Sequence, residues 1–262
     1  MPQKIYQIDA FTDVVFSGNP AAVCPLENWL SDALLQKIAL ENNLAETAFY
    51  VRHHHHIEIR WFTPTIEVDL CGHATLAAAY VLFNYEGFLG NTITFHSPRS
   101  GTLMVTQNNT LLTLNFPTDV LQATIVTQSL TSCFDLKPQF VFKGKSDYLF
   151  VYDTEASILK IQPNLNAISK LDARGVIVTA KGTNVDFVSR FFAPQIGINE
   201  DPVTGSAHTT LTPYWAKILH KSELSAQQLS SRGGFLQCKL VNNTVEISGN
   251  AKLYLIGNLF LE

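Results

Sequence analysis

Arg60-Trp61-Phe62-Thr63-Pro64-Thr65-Ile66 returns 130 residues later as Arg190-Phe191-Phe192-Ala193-Pro194-Gln195-Ile196. Four of the seven positions are identical and a fifth pair is aromatic. After an insertion of three the match resumes, with Cys71-Gly72-His73-Ala74 against Thr204-Gly205-Ser206-Ala207. Each copy reads as an aromatic strand, a Pro turn, an acidic loop and a Gly-small-Ala step into a helix. The spacing is close to half of the 262-residue chain. Two similar halves explain that better than chance matching in a Thr- and Ala-rich sequence. The pattern weakens at Pro117, so the halves are placed at 1–117 and 118–262, with the last few residues joining the first half.

Composition bounds what such a chain can be. It is 46% hydrophobic and 15% charged, with a net charge of −4. An average domain carries ~25% charged residues, so this is a folding chain, not a disordered one. No Lys/Arg cluster offers a footprint for nucleic acid. The longest apolar run, residues 76–83, is far short of the ~20 residues a bilayer demands. The start of the chain runs straight into a strand-like segment, without the apolar core of a signal peptide. Cys24, Cys71, Cys133 and Cys238 include no CxxC pair, which argues against a zinc ribbon or a disulfide framework. The expected setting is the reducing cytoplasm, away from membranes.

Local patterns fill in the halves. Ser17-Gly18-Asn19-Pro20 is turn chemistry between strands at 5–10 and 21–23. Ser31 is expected to cap a helix over 32–40. Strands follow at 47–51 and 57–62, then a buried helix over 74–83. Alternating β-branched and aromatic residues from 92 to 116 read as meandering sheet. Strand character resumes at 140–152, 176–179 and 189–192. A helix is expected around 213–219, before closing strands near 235–241, 245–248 and 251–256.

The repeat places two glycine-led helix starts, at Gly72 and Gly205, in equivalent positions. A helix start offers unpaired backbone N–H groups and the positive end of the dipole, which suit a carboxylate. Gly72 and Gly205 let a ligand approach the backbone, although glycine here also serves tight helix–sheet packing. His73 and Ser206 add side-chain donors. The run His53–His56 invites a metal reading. Consecutive strand residues alternate in direction, however, and no acidic or Cys partner is evident at ligand spacing, so no metal is assigned. No GxGxxG or Walker pattern is present, and no cofactor is expected.

Four motifs in order now carry a resemblance. They are Ser17-Gly18-Asn19-Pro20-Ala21-Ala22-Val23, Ala45-Glu46-Thr47-Ala48-Phe49, Cys71-Gly72-His73-Ala74-Thr75 and Glu200-Asp201-Pro202-Val203-Thr204-Gly205-Ser206-Ala207. Together they resemble the phenazine-biosynthesis-like (PhzF) family, which shares its fold with diaminopimelate epimerase. The resemblance implies an α+β fold of two similar halves. Each is a curved, mostly antiparallel sheet wrapped around a central helix, with the active site in the cleft between them. It implies Glu46, His73 and Asp201 as catalytic residues. Asn19, Gly72, Gly205 and Ser206 follow as substrate-binding residues. It also implies a homodimer.

The epimerase uses two thiols, and the matching positions here are Cys71 and Thr204. A Thr hydroxyl does not ionise usefully near pH 7, so a two-thiol racemase is disfavoured. The expected activity is cofactor-independent isomerisation of a small carboxylate-bearing metabolite. Glu46 is the acid/base, with Phe49, Trp61 and Phe62 as an apolar wall that raises its pKa. Two alternatives stay open: an epimerase assisted by the Cys71 thiol, and a protein that binds a metabolite without turning it over.

Overall fold

The computed structural model describes residues 2–54 and 56–261. It is an α+β chain of two compact units, Met1–Asn115 with Ser248–Glu262, and Phe116–Ile247. In chain order the first stretch contains β1 (Gln3–Ala10), β2 (Asn19–Leu26), α1 (Asp32–Asn42), β3 (Glu46–Arg52), β4 (Ile57–Phe62), β5 (Glu67–Val68), α2 (Gly72–Asn84), β6 (Thr92–Ser97), β7 (Gly101–Asn108) and β8 (Leu111–Pro117). The second contains β9 (Gln122–Ala123), α3 (Gln128–Thr131), β10 (Phe140–Lys143), β11 (Asp147–Val151), α4 (Glu155–Lys160), α5 (Leu165–Ile168), β12 (Gly175–Lys181), β13 (Phe187–Phe192), α6 (His208–Leu219), β14 (Glu223–Gln228), β15 (Gly234–Val241) and β16 (Thr244–Gly249). The chain ends in β17 (Ala251–Leu259), which pairs antiparallel with β1.

Both units run through the same sequence of pairings. In the first, β2–β3 is parallel, β3–β4 antiparallel, β4–β6 parallel and β6–β7 antiparallel. In the second, β11–β12 is parallel, β12–β13 antiparallel, β13–β14 parallel and β14–β15 antiparallel. A parallel pair needs a crossover, and helices supply it. α1 links the first parallel pair of its unit, as α4 and α5 do in theirs. α2 and α6 occupy the second crossover in each case.

The arginine that opens the repeated heptapeptide explains its persistence. Arg60 donates to both carboxylate oxygens of Glu67, at 2.7 and 2.9 Å. Its guanidinium lies 5.2 Å from the Phe62 ring. Arg190 donates to both oxygens of Glu200, at 2.7 and 3.0 Å, and lies 4.9 Å from the Phe192 ring. A bidentate guanidinium–carboxylate pair stacked on an aromatic ring ties the loop after each strand back onto it.

Burial follows pattern. β3 carries buried residues at six successive positions, as a strand covered on both faces should. On one side a cluster of Ile5, Cys24, Leu35, Ile38, Phe49 and Phe62 packs it against α1. α2 packs on β1, β2, β3, β7 and β17. It is apolar nearly all round, and Ala74, Leu76, Ala77, Ala78, Ala79, Val81 and Leu82 are buried. In the second unit Phe134, Phe150, Ile158, Val178 and Phe192 belong to one core cluster. Thr154 and Asn164 cap α4 and α5 by accepting from Ser157 N and Ala167 N. Among the described residues no helix is long and apolar enough to cross a membrane, and all four cysteines are buried and outside any disulfide.

Three local expectations are corrected. α2 begins at Gly72 as read, but the second helix begins at His208 and not at Gly205. Residues 205–207 form a tight turn, with His208 N bonded to Gly205 O and Thr209 N to Ser206 O. Pro213 does not start a helix; it sits inside α6. A proline leaves the carbonyl four residues earlier without its helical donor. Here that carbonyl, Thr209 O, accepts from Asp119 N at 3.1 Å, so the helix continues through the proline. Finally, Ser31 precedes α1, but its side chain makes no cap bond; its carbonyl accepts from Leu34 N and Leu35 N.

Candidate active site

The first unit gathers Glu46, Cys71 and His73. Glu46 opens β3, beside Ala21 of β2 in the parallel register, and is 9% exposed. Cys71 is the N-cap residue of α2, and His73 lies in its first turn. His73 Nε2 is 3.2 Å from Glu46 Oε2. That is an ion-pair distance, although the angles fall short of a well-formed hydrogen bond. On the ring's other side, Cys71 Sγ is 3.5 Å from His73 Nδ1. Donor atoms of all three residues lie within 4.8 Å of one another.

Full burial pushes the His73 imidazole down to about 3, so the ring is neutral at pH 7. A neutral ring donates from one nitrogen and accepts at the other. With Nδ1 turned to the Cys71 thiol, the arrangement that fits has Nε2–H facing the carboxylate. The Cys71 thiol of the alternative reading shares this histidine with Glu46.

Asn19 and Gly72 border this cluster. Asn19 is fully buried at the start of β2, two residues before the cross-strand partner of Glu46 and so on the same face. Gly18, just before it, has φ +68°, and a Cβ there would lie 2.2 Å from Ala10 O. Only glycine fits that turn. Phe49, Trp61 and Phe62 are all buried, but only Trp61, opposite Ala48, is on the Glu46 face. Phe49 and Phe62 meet edge to face at 5.6 Å on the other face, against α1, so they do not form the expected wall around Glu46.

The second unit holds Asp201, Thr204, Gly205 and Ser206 between β13 and α6. Asp201 is buried and accepts from Thr204 Oγ1 at 2.6 Å. Gln228, fully buried, completes a lock. Its Nε2 donates to Asp201 O at 2.7 Å and to Thr204 Oγ1 at 3.1 Å, while its Oε1 accepts from Thr204 N at 2.8 Å. The Thr204 hydroxyl is thus committed to orienting Asp201. Gly205 is buried and Ser206 exposed.

Two residues here escaped the sequence reading. Gln228 has no motif around it. Arg174 places a guanidinium nitrogen 3.0 Å from Ser206 Oγ, is paired through two bonds with Asp147, and lies 5.2 Å from the Phe191 ring. It sits 32 residues from Ser206, and only strand pairing brings the two together.

This chain is similar in sequence and in shape to known proteins. A profile described as phenazine biosynthesis-like protein (PhzC-PhzF) matches residues 8–257. An uncharacterized isomerase of Pseudomonas aeruginosa is 48% identical over 261 residues, covering all of both chains. The crystal structure of a PhzF-family phenazine biosynthesis protein from Enterococcus faecalis matches at TM-score 0.97 with 48% identity, again over the whole of both chains. A predicted epimerase of Pseudomonas aeruginosa shares the fold, with TM-score 0.79 at 20% identity over 99% of this chain and 100% of that one. Fold and relatives together define an isomerase-type enzyme on an epimerase-like α+β scaffold. The chain belongs to the phenazine biosynthesis-like (PhzC-PhzF) family.

Proposed function

We propose that this protein moves a proton between carbon atoms of a small carboxylate-bearing metabolite, without a cofactor, and that Glu46 is the acid/base. The observation that carries this reading is the buried Glu46 carboxylate set 3.2 Å from a neutral, buried His73. A general base must be held at its substrate in a defined protonation state, and a buried, neutral imidazole beside the carboxylate supports both.

In this scheme the Glu46 carboxylate takes a proton from a carbon made acidic by an adjacent conjugated or carbonyl group. The electron pair left on that carbon delocalises into the conjugated system. Glu46, now a carboxylic acid, returns the proton to a different carbon of that system. No electrons are gained or lost, and the enzyme ends as it began. His73 holds the Glu46 carboxylate, and Asp201, fixed by Thr204 and Gln228, orients the substrate. Gly205 and Ser206, ahead of α6, hold the substrate carboxylate with Arg174 reinforcing the positive field. Asn19 and Gly72 complete the binding contacts.

The test is deuterium incorporation in D2O, followed by proton NMR, across a panel of small cyclic and amino-acid carboxylates. The parent protein should exchange at least one compound. Glu46→Gln should slow exchange by about 100-fold or more, the usual contribution of a positioned acid/base. Cys71→Ser should retain it. Loss in Cys71→Ser with retention in Glu46→Gln would transfer the role to the thiol. A compound bound tightly but never exchanged would make the protein a metabolite binder.

A further inference from the structure

We infer that the tip of the β3–β4 hairpin is a binding site for one divalent transition-metal ion of the zinc type, with His53, His56 and Glu58 as its protein ligands. The site is separate from the Glu46 cluster. Glu46 and His53 lie toward opposite ends of β3, seven residues apart, which is roughly 20 Å along a strand.

The geometry is that of a ligand set. His53 Nε2 lies 3.2 Å from Glu58 Oε2, and His56 Nε2 lies 3.6 Å from Glu58 Oε1. One donor atom from each residue falls within 4.8 Å of the others. Metal–ligand bonds of ~2.0–2.1 Å in a tetrahedron set neighbouring ligand atoms about 3.3 Å apart. The two measured separations bracket that value. Two imidazoles and one carboxylate form a borderline donor set suited to Zn2+, Co2+ or Ni2+, with at least one position left for water.

Local folding explains how the set arises. Arg52 pairs with Ile57 as the last pair of the ladder, and beyond it the hairpin is closed by His53 N donating to His56 O at 2.9 Å. The closure stacks the two rings, with centroids 4.6 Å apart and planes 20° apart. Val51 faces Glu58 across the ladder, and period-two alternation puts His53 on the face of Val51 and therefore of Glu58. This corrects the sequence reading, which found no acidic partner at ligand spacing. Glu58 becomes that partner only once the hairpin folds. His55, in the same run, lies outside the described residues.

Further residues support the carboxylate. Trp29 Nε1 donates to Glu58 Oε2 at 2.6 Å, the kind of outer bond that fixes a metal-binding carboxylate. His96 of β6 sits beside Glu58 in the parallel register, with its ring centroid 6.4 Å from that of His56.

The experiment is a titration of the full-length, untagged, metal-free protein with Zn2+ by calorimetry and with Co2+ by visible absorption. One equivalent should bind, with a Co2+ spectrum of low-coordinate N/O type and a rise in Tm on Zn2+ addition. Glu58→Gln keeps an acceptor for Trp29 but loses the charge; it should weaken binding at least tenfold. His53→Ala with His56→Ala should abolish the one-equivalent phase, while His54→Ala should leave affinity within about twofold. Circular dichroism confirms that each variant folds. Absence of saturable binding overturns the site. So does binding that is unchanged in Glu58→Gln, or equally reduced by His54→Ala, because the histidine run would then be acting as a flexible chelator.

Discussion

A neutral histidine between a thiol and a carboxylate couples chemistry to stability. Burial holds His73 down to about 3 and His208 down to about 4; the His208 bond to Thr204 O opposes that only in part. In the unfolded chain both return to about 6.5. Between pH 6.5 and those lowered values, the unfolded state binds protons that the folded state refuses. Stability is therefore full above about pH 6.5 and falls as the pH drops through this window. The slope is on the order of 1 kcal/mol per pH unit for each histidine. Urea midpoints at pH 7, 6 and 5 should decline steadily, and His73→Asn should flatten part of the decline. A midpoint that is level down to pH 5 in the parent would show that these rings are not buried neutral. The same variant separates roles, because it leaves Glu46 in place while removing the nitrogen that faces it.

At the scale of elements, the loops that join strands carry the constraint. The β1–β2 connection depends on Gly18, whose positive φ coincides with an approach to Ala10 O that no side chain tolerates. Gly18→Ala should cost at least about 1–3 kcal/mol, the usual charge for a strained backbone position, with the clash added. A chevron or equilibrium urea curve reads this directly. The β13–α6 connection depends on Arg190, which donates to Glu200 and also to Ile158 O and Ile161 O. Glu200→Gln removes the charge partner of a largely buried guanidinium and should cost about 1–2 kcal/mol. The loss should appear as a lower urea midpoint, with reduced exchange activity because Asp201 follows directly. A variant as stable as the parent would reduce the Arg190–Glu200 pair to a surface ornament.

Over the whole molecule, one folding plan is used twice with different side chains at the matching candidate positions. Each unit repeats the order of parallel and antiparallel pairings, and each ties an arginine, Arg60 of β4 or Arg190 of β13, to a glutamate that follows that strand. The helix that follows differs. α2 is buried almost throughout, whereas α6 keeps Lys217 and Ile218 on an outer face. A carboxylate–histidine pair stands in one unit and an aspartate–threonine–glutamine lock in the other. This divergence is expected if one unit supplies proton transfer and the other supplies substrate binding. Exchange kinetics can check the division: Ser206→Ala should mainly raise KM, and Glu46→Gln should mainly lower kcat.

The sequence by itself determined the two-unit plan, the strands around both heptapeptides and the start of α2. Those features rest on short-range periodicity, turn residues and a repeat that survives in the side chains which stabilise it. It also determined the family, because four motifs stand in order along one chain. Tertiary structure decided the rest. The survival of Pro213 within α6 depends on Asp119 N, 90 residues before Thr209 along the chain, meeting the orphaned Thr209 carbonyl. Arg174 beside Ser206 and Gln228 beneath Asp201 are products of strand pairing across tens of residues. Even Glu58, a short step beyond the histidine run, joins His53 only when the hairpin closes. Pairwise distances between such groups are set by register and chain crossing, and linear spacing does not encode them.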